Sequence, residues 1–525
     1  MYLHRLGFLT ISSLSLIASI SSSQVPLSGY ETRILDNDPH IDHARANAPH
    51  IFSAIHSSIR QWGSSLKHNG MSFFRASIPK NTLLYHGTHF KDPVTGMEWL
   101  AFEIEHAEVF ARMRGPRGPG RGHPGERPGE RPPPPTDGPS RQSGETPLKE
   151  YIDEKDSEPT TYGYLHVYRT SRPLTRLLYL DGMSAGKTLM GTLDTQDYVI
   201  CKDSNTGIIN PMDDYVRAEC MCKIGAEHGI EGIIRMEAGF ELILCNFSAN
   251  LEFITANQRP KYDAPEGILD SSHFEYMRGV AARYQGITAG RMKVDYSSMV
   301  SAYFYPLNLT NPNSSRPELP RLPTSDHEGL AQIKADVLDI FSQGSEIKTV
   351  DWQGVVDMVV TRYSDRLKYL TSTKLPDRAA LSEVNFLLSA FIDYTDLNIT
   401  HAIESCSRIY LPAITSPTRS DGLIYEAILT VTQKICSTLF KIRDILLEGE
   451  EEQDSMMKKS NFHMQELIEY LDWSTWLECG KCAYDEVCYV AIWPWGSVED
   501  HDNPGCVNMD DISSRRGYWG GFGPR

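Results

Sequence analysis

Two ionisable residues in this sequence stand where chemistry could use them. Glu241 interrupts the apolar run Gly239-Phe-Glu-Leu-Ile-Leu-Cys245, and His86 lies in Leu84-Tyr-His-Gly-Thr88. Between them comes Glu98-Trp-Leu-Ala-Phe-Glu-Ile-Glu-His-Ala-Glu-Val-Phe-Ala111, and just ahead of Glu241 comes His228-Gly-Ile-Glu-Gly-Ile-Ile-Arg235. A carboxylate inside an apolar strand serves either as an acid, base or electrostatic stabiliser, or as a charged strand edge kept for solubility. Glu237, four residues earlier, competes for the acid role, and His86 also reads as a turn cap.

Other candidates carry less. Asp181-Gly-Met-Ser-Ala-Gly-Lys-Thr188 has only three residues between its glycines. A phosphate loop needs four for its amides to wrap a phosphate, so a tight turn is the expectation. There is no GxSxG elbow, HExxH helix or kinase signature set. His50 and His56 fall in a helical apolar period, Ile51, Ile55, Ile59 and Trp62, and read as ordinary helix partners. Ten cysteines form three groups: Cys201, Cys220, Cys222 and Cys245; Cys406 and Cys436; Cys479, Cys482, Cys488 and Cys506. Each group is even, so disulfides within each region are expected, Cys406 with Cys436 and the fours left open. Zinc on Cys479-x-x-Cys482 lacks a second closely spaced pair, so no metal site is expected. Trp473, Trp476, Trp493 and Trp495 offer either a carbohydrate platform or core packing.

The elements that must position these residues follow from pattern and composition. The 525 residues are 40% hydrophobic and 23% charged, too long for one ordinary domain and too apolar for a disordered chain. A net charge of −17 disfavours a general nucleic-acid binder. The first residues, a weakly basic start, an apolar run from Leu6 to Ile20 and then Ser21-Ser22-Ser23, have the layout of a signal peptide over 1–23. No internal stretch is long and apolar enough to span a bilayer, so stable membrane insertion is not expected. Sequons at Asn246, Asn308, Asn313 and Asn398 agree with secretion to the extracellular space.

The expected fold is multidomain. An α+β domain spans 24–258, with strands around Leu84, Leu165, Leu178, Ile233 and Leu242 and a Pro-, Gly- and Arg-rich disordered insertion over 113–146. A mixed linker region follows over 259–325, then an all-α domain over 326–475, where Leu330, Ile333, Val337, Ile340 and Phe341 keep one face. A disulfide-rich, Trp-rich cap closes the chain over 476–525. The tail also resembles those of secreted fungal proteins of unassigned function, which adds a compartment but no chemistry.

The ordered blocks around His86, Trp99 and Glu241 resemble the histidine-first ADP-ribosyltransferases, the superfamily of diphtheria-like toxins and poly-ADP-ribose polymerases, over roughly 80–258. The resemblance implies an α+β transferase fold with NAD as the substrate and a protein as the ADP-ribose acceptor. Glu241 would be the catalytic carboxylate, stabilising the oxocarbenium-like state of nicotinamide–ribose cleavage. His86, Gly87 and Thr88 would form the NAD-binding strand end, His86 on the adenosine ribose and the Gly87 backbone on the nicotinamide amide. Trp99 or Phe102 would stack on nicotinamide, where the family usually has tyrosine. His86 and Glu241 are then expected in one cleft. The alternative reading is a non-catalytic secreted glycoprotein acting by surface interaction on the same fold.

Overall fold

β1 (Ser72–Ile78), β2 (Leu83–Thr88), β3 (Glu98–Ala101), β4 (Tyr164–Thr170), β5 (Leu174–Leu180), β6 (Gly232–Met236), β7 (Phe240–Leu244), β8 (Leu251–Gln258) and β9 (Lys293–Ser301) join in one sheet. Their order is β8-β4-β2-β3-β7-β6-β5-β1-β9. The computed structural model describes residues 38–112, 163–183, 195–201, 214–259, 272–287, 289–323, 325–342, 350–372, 375–448, 453–513, 515 and 517–519. The expected leader 1–23, the insertion 113–146 and residues 184–188 of the glycine-rich turn lie outside these. All strands proposed from sequence share the sheet. β6 and β7 are buried at every position, as central strands covered on both faces are.

Every strand pair is antiparallel except β5 with β6. A parallel neighbour needs a crossover. Here it carries α5 (Thr195–Cys201) and α6 (Asp214–His228). The amphipathic stretch near the start forms α1 (Ile41–Ala46), α2 (Ala48–Ser57) and α3 (Gln61–Leu66), with Ile59 at φ 55 between the last two. α4 (Ile104–Arg112) lies against β2. Gly87 allows that approach, because a Cβ there would sit 2.0 Å from the Ala107 carbonyl oxygen.

The segment read as a linker, 259–325, does more than connect. It supplies α8 (Ser272–Ala281) and β9, which pairs with β1 at the sheet edge; the short α7 (Phe247–Asn250) precedes β8. β9 carries Asp295, Ser297 and Ser298 among its apolar residues, and that polar content hid the strand.

Helices fill the region after 326: α9 (His327–Asp339), α10 (Trp352–Leu370), α11 (Asp377–Leu388), α12 (Ile399–Arg408), α13 (Arg419–Glu448) and α14 (Gln453–Leu471). Asp326, Asp351 and Asn398 cap three of them by accepting from the N–H of Gly329, Gly354 and His401. Leu330, Ile333, Val337 and Phe341 are buried, as the periodicity predicts, and Ile340 is half-buried. α13 packs on α1, α2, α11, α12, α14 and β9. Sheet and helices therefore share one apolar cluster, and all described residues belong to one unit.

The cysteines pair as Cys201–Cys220, Cys222–Cys245, Cys406–Cys436, Cys479–Cys488 and Cys482–Cys506, always within their own group. Cys479 and Cys482 are thus bridged to different partners, not held as zinc thiolates. In the tail, β10 (Glu486–Tyr489) pairs with β11 (Gly505–Asn508). Trp473, Trp493 and Trp495 are buried. Trp473 stacks on Phe52, and Trp476 donates its indole N–H to the Ser364 carbonyl. Core packing, rather than a carbohydrate platform, is the use of these rings. Among the described residues, no helix is long and apolar enough to cross a membrane.

Candidate functional site

Parity along paired strands decides which side chains share a face. Residues directly opposite point the same way, and successive residues alternate. Tyr85 pairs with Ala101, Ala101 with Glu241, and Glu241 with Arg235. This face carries Glu241 and is covered by α4. His86 is one residue from Tyr85 and points to the other face with its partner His166, against Phe247. His86 and Glu241 therefore stand on opposite sides of the sheet, and the expected common cleft is not formed between them.

The other expected contacts are placed as follows. His86 donates from Nδ1 to the Trp99 carbonyl oxygen at 2.8 Å. Trp99 meets Tyr215 edge-on at 4.6 Å between ring centroids, and the Tyr215 hydroxyl donates to Glu98 at 3.1 Å. Phe102 is buried in the main core, with its N–H on the Phe240 carbonyl. The Thr88 hydroxyl accepts from the Phe90 N–H at 3.4 Å. Gly87 has no room for a side chain, because the backbone of α4 lies where its Cβ would be. His86 and Glu241, so placed, do not face one another as the resemblance implies.

What surrounds Glu241 is a buried polar network. Its Oε1 accepts from His106 Nε2 at 3.0 Å, and its Oε2 lies 3.4 Å from Arg235 Nε. His106 Nδ1 is 2.9 Å from the Tyr276 hydroxyl on α8. Arg235 also lies 3.5 Å from Asp197, 3.8 Å from Asp214 and 3.8 Å from Glu237. Arg217 pairs with Asp197 at 3.6 Å and with Asp214. Glu103 accepts from the Phe240 N–H at 3.0 Å and faces Arg283 at 3.4 Å. Gly239 lets β7 approach α4, since a Cβ there would sit 2.7 Å from the His106 ring.

Burial alone would raise the Glu241 pKa, but the His106 hydrogen bond and the Arg235 charge hold it below the usual carboxylate range. Burial would likewise lower His106, and the Glu241 hydrogen bond and charge raise it instead. Each partner thus favours the charged form of the other. Burial pushes Glu103 upward. A general acid or base must reach a substrate proton. Glu241 and His106 are instead saturated by neighbours beneath α4 and α8, and the arrangement ties the β6–β7 hairpin to both helices. Glu237, the competing acid, accepts from the Trp493 indole at 3.2 Å and so anchors the tail to the sheet.

Sequence reasoning assigned no role to Arg235, His106, Tyr276 or Asp197. One signal was available. Arg235 and Glu241 are the charges within two apolar runs on either side of a short turn, 237–239, and a hairpin places them opposite one another.

The sheet region matches a known family. Residues 39–263 match the family model described as the YPL277C N-terminal domain. Over 89% of its length the chain is 27% identical to the uncharacterized protein YOR389W of Saccharomyces cerevisiae, covering 86% of that protein. It is 28% identical over 69% of its length to the uncharacterized protein YPL277C of the same yeast, covering 82% of that one. No solved structure matches. The YPL277C-like region thus contains β1 to β8 together with Glu241, Arg235 and His106, whereas Tyr276 and β9 lie beyond it.

Acid should weaken the fold. Burial lowers His50, His56 and His273 from 6.5 to about 4, and His501 to about 2. Below pH 6.5 the unfolded chain takes up protons that these folded histidines refuse, so their contribution is lost as pH falls from 6.5 toward 4. Asp181 and Asp295 oppose this. Burial raises both to about 6, so they favour the fold at low pH and lose that contribution as pH rises through about 6. His89 and His166 are lowered as well, while Glu98, Glu103 and His106 are raised and side with the aspartates. Six lowered histidines against five raised groups leave the Tm lower at pH 4.5 than at pH 7. An equal or higher Tm at pH 4.5 would contradict this balance.

Proposed function

We propose that this is an exported, disulfide-braced protein that acts by binding through its surface, on an ADP-ribosyltransferase-like sheet without that chemistry. The observation that carries the reading is the enclosure of Glu241, paired with His106 and Arg235 on the face opposite His86. Two further features support it. β2, β3 and β7, which carry three of the ordered blocks, stand side by side in one sheet. Five disulfides suit an oxidising compartment, in agreement with the leader-like first residues.

An open groove of about 500 Å³ between α10, α11 and the end of α12 offers a surface for a partner. Met358, Phe386, Leu387 and Tyr410 give it apolar walls, and Arg362 and Arg366 bring guanidinium groups to it. Aromatic and arginine side chains together are what protein interfaces concentrate at their centres. The partner class is a protein segment with apolar anchors flanked by carboxylates.

The test uses the purified mature protein with millimolar NAD. Neither heat of binding nor nicotinamide release is expected. Release that disappears in Glu241→Gln, with the Tm retained, would overturn this reading and restore the transferase.

A further inference from the structure

The four sequons are scattered over 150 residues of sequence, yet the fold treats them alike. Asn246, Asn308 and Asn398 are exposed and Asn313 is half-buried, while the hydroxyl residue two positions on, Ser248, Thr310, Ser315 or Thr400, is exposed in every case. Each asparagine also makes the same kind of local contact. Its amide oxygen accepts a backbone N–H: from Ala249 to Asn246, Thr310 to Asn308, Ser315 to Asn313 and His401 to Asn398, at 3.0 to 3.1 Å. At Asn313 the Ser315 hydroxyl donates to the same oxygen at 2.7 Å.

That geometry matters because N-glycosylation uses the other atom of the amide. The amide nitrogen bonds to C1 of a lipid-linked oligosaccharide diphosphate, the C1–O bond to phosphate breaks, the lipid diphosphate leaves with the electron pair, and an amide proton is lost. The carbonyl oxygen keeps its lone pairs. The helix caps at Asn246 and Asn398 and the turns at Asn308 and Asn313 therefore survive modification.

Asn398 has a further property. The loop before α12 exposes Tyr394 at 62% and Leu397 at 65%. Both stand within four residues of the sequon asparagine, on its own loop. A bulky, hydrophilic chain on Asn398 starts from the residue next to Leu397.

We infer that Asn246, Asn308, Asn313 and Asn398 each carry an N-linked oligosaccharide, and that the one on Asn398 shields the apolar rim formed by Tyr394 and Leu397. The inference rests on the export reading above. It extends that reading by naming the modified atoms and a task for one of them.

The full chain is expressed in a fungal host, recovered from the medium and treated with peptide N-glycosidase in heavy-oxygen water. Labelled aspartate is expected at all four positions, and Asn398→Gln should lose its monomer peak in light scattering while Asn308→Gln keeps it. Unmodified Asn398 in protein from the medium overturns the inference and leaves export standing. An Asn398→Gln protein as monomeric as Asn308→Gln overturns the shielding. If the chain stays inside the cell, export fails; the same chain behind a foreign leader then tests the sites alone, and bare asparagines there overturn the inference.

Discussion

Arg235→Met is expected to lower the unfolding free energy by about 3–5 kcal/mol, the usual cost of stripping one partner from a buried ion pair. Glu241 and Asp197 are both buried and both face this guanidinium, with Asp214 and Glu237 at its rim. Without it, like charges confront one another in a medium that screens them weakly. Arg235→Lys should recover only part of the loss, because an ammonium cannot reproduce the planar fork that meets several carboxylates at once. Arg235→Met combined with Glu241→Leu should be more stable than Arg235→Met alone, since it removes one of the stranded charges. Urea denaturation of the three variants measures this. A loss below about 1 kcal/mol for Arg235→Met would mean that the network is hydrated and the charges are not truly enclosed.

Breaking Cys406–Cys436 should be the next most costly change. The bridge joins α12 to α13 through two fully buried cysteines, 30 residues apart in sequence. Constraining a loop of that length in the unfolded chain is worth about 3.7 kcal/mol on the chain-entropy estimate, against about 2.6 kcal/mol for the 9-residue separation of Cys479–Cys488. Cys406→Ala should therefore lower the Tm more than Cys479→Ala. The reverse order would show that the tail bridge, not the helical one, limits unfolding.

These variants probe features that were unevenly legible in the sequence. Strands were legible where β-forming residues run between turn signals, as in β2, β5 and β7, and helices where an apolar stripe recurs, as in α9 and α10. Disulfide grouping followed from even counts. The face on which each site residue points was not legible. In β6 and β7 every position is buried, so no polar alternation marks an inside and an outside. The separation of His86 from Glu241 depends on the chain of pairings through Tyr85 and Ala101, a long-range parity that a short motif does not encode. The ordered blocks located the right strands and left their registers undetermined.

β9 bears on how this chain can be divided. The span that matches the YPL277C N-terminal domain stops at residue 263, thirty residues short of β9. A piece cut at that bound keeps β1 but removes its outer neighbour, leaving the N–H and C=O groups of Ser72, Phe73, Arg75, Ala76 and Ser77 without the strand that pairs with them. A bare edge bearing two adjacent phenylalanines invites another chain to complete it. The span that carries the family match and the smallest soluble unit are then of different lengths, and the second must run at least through Ser301.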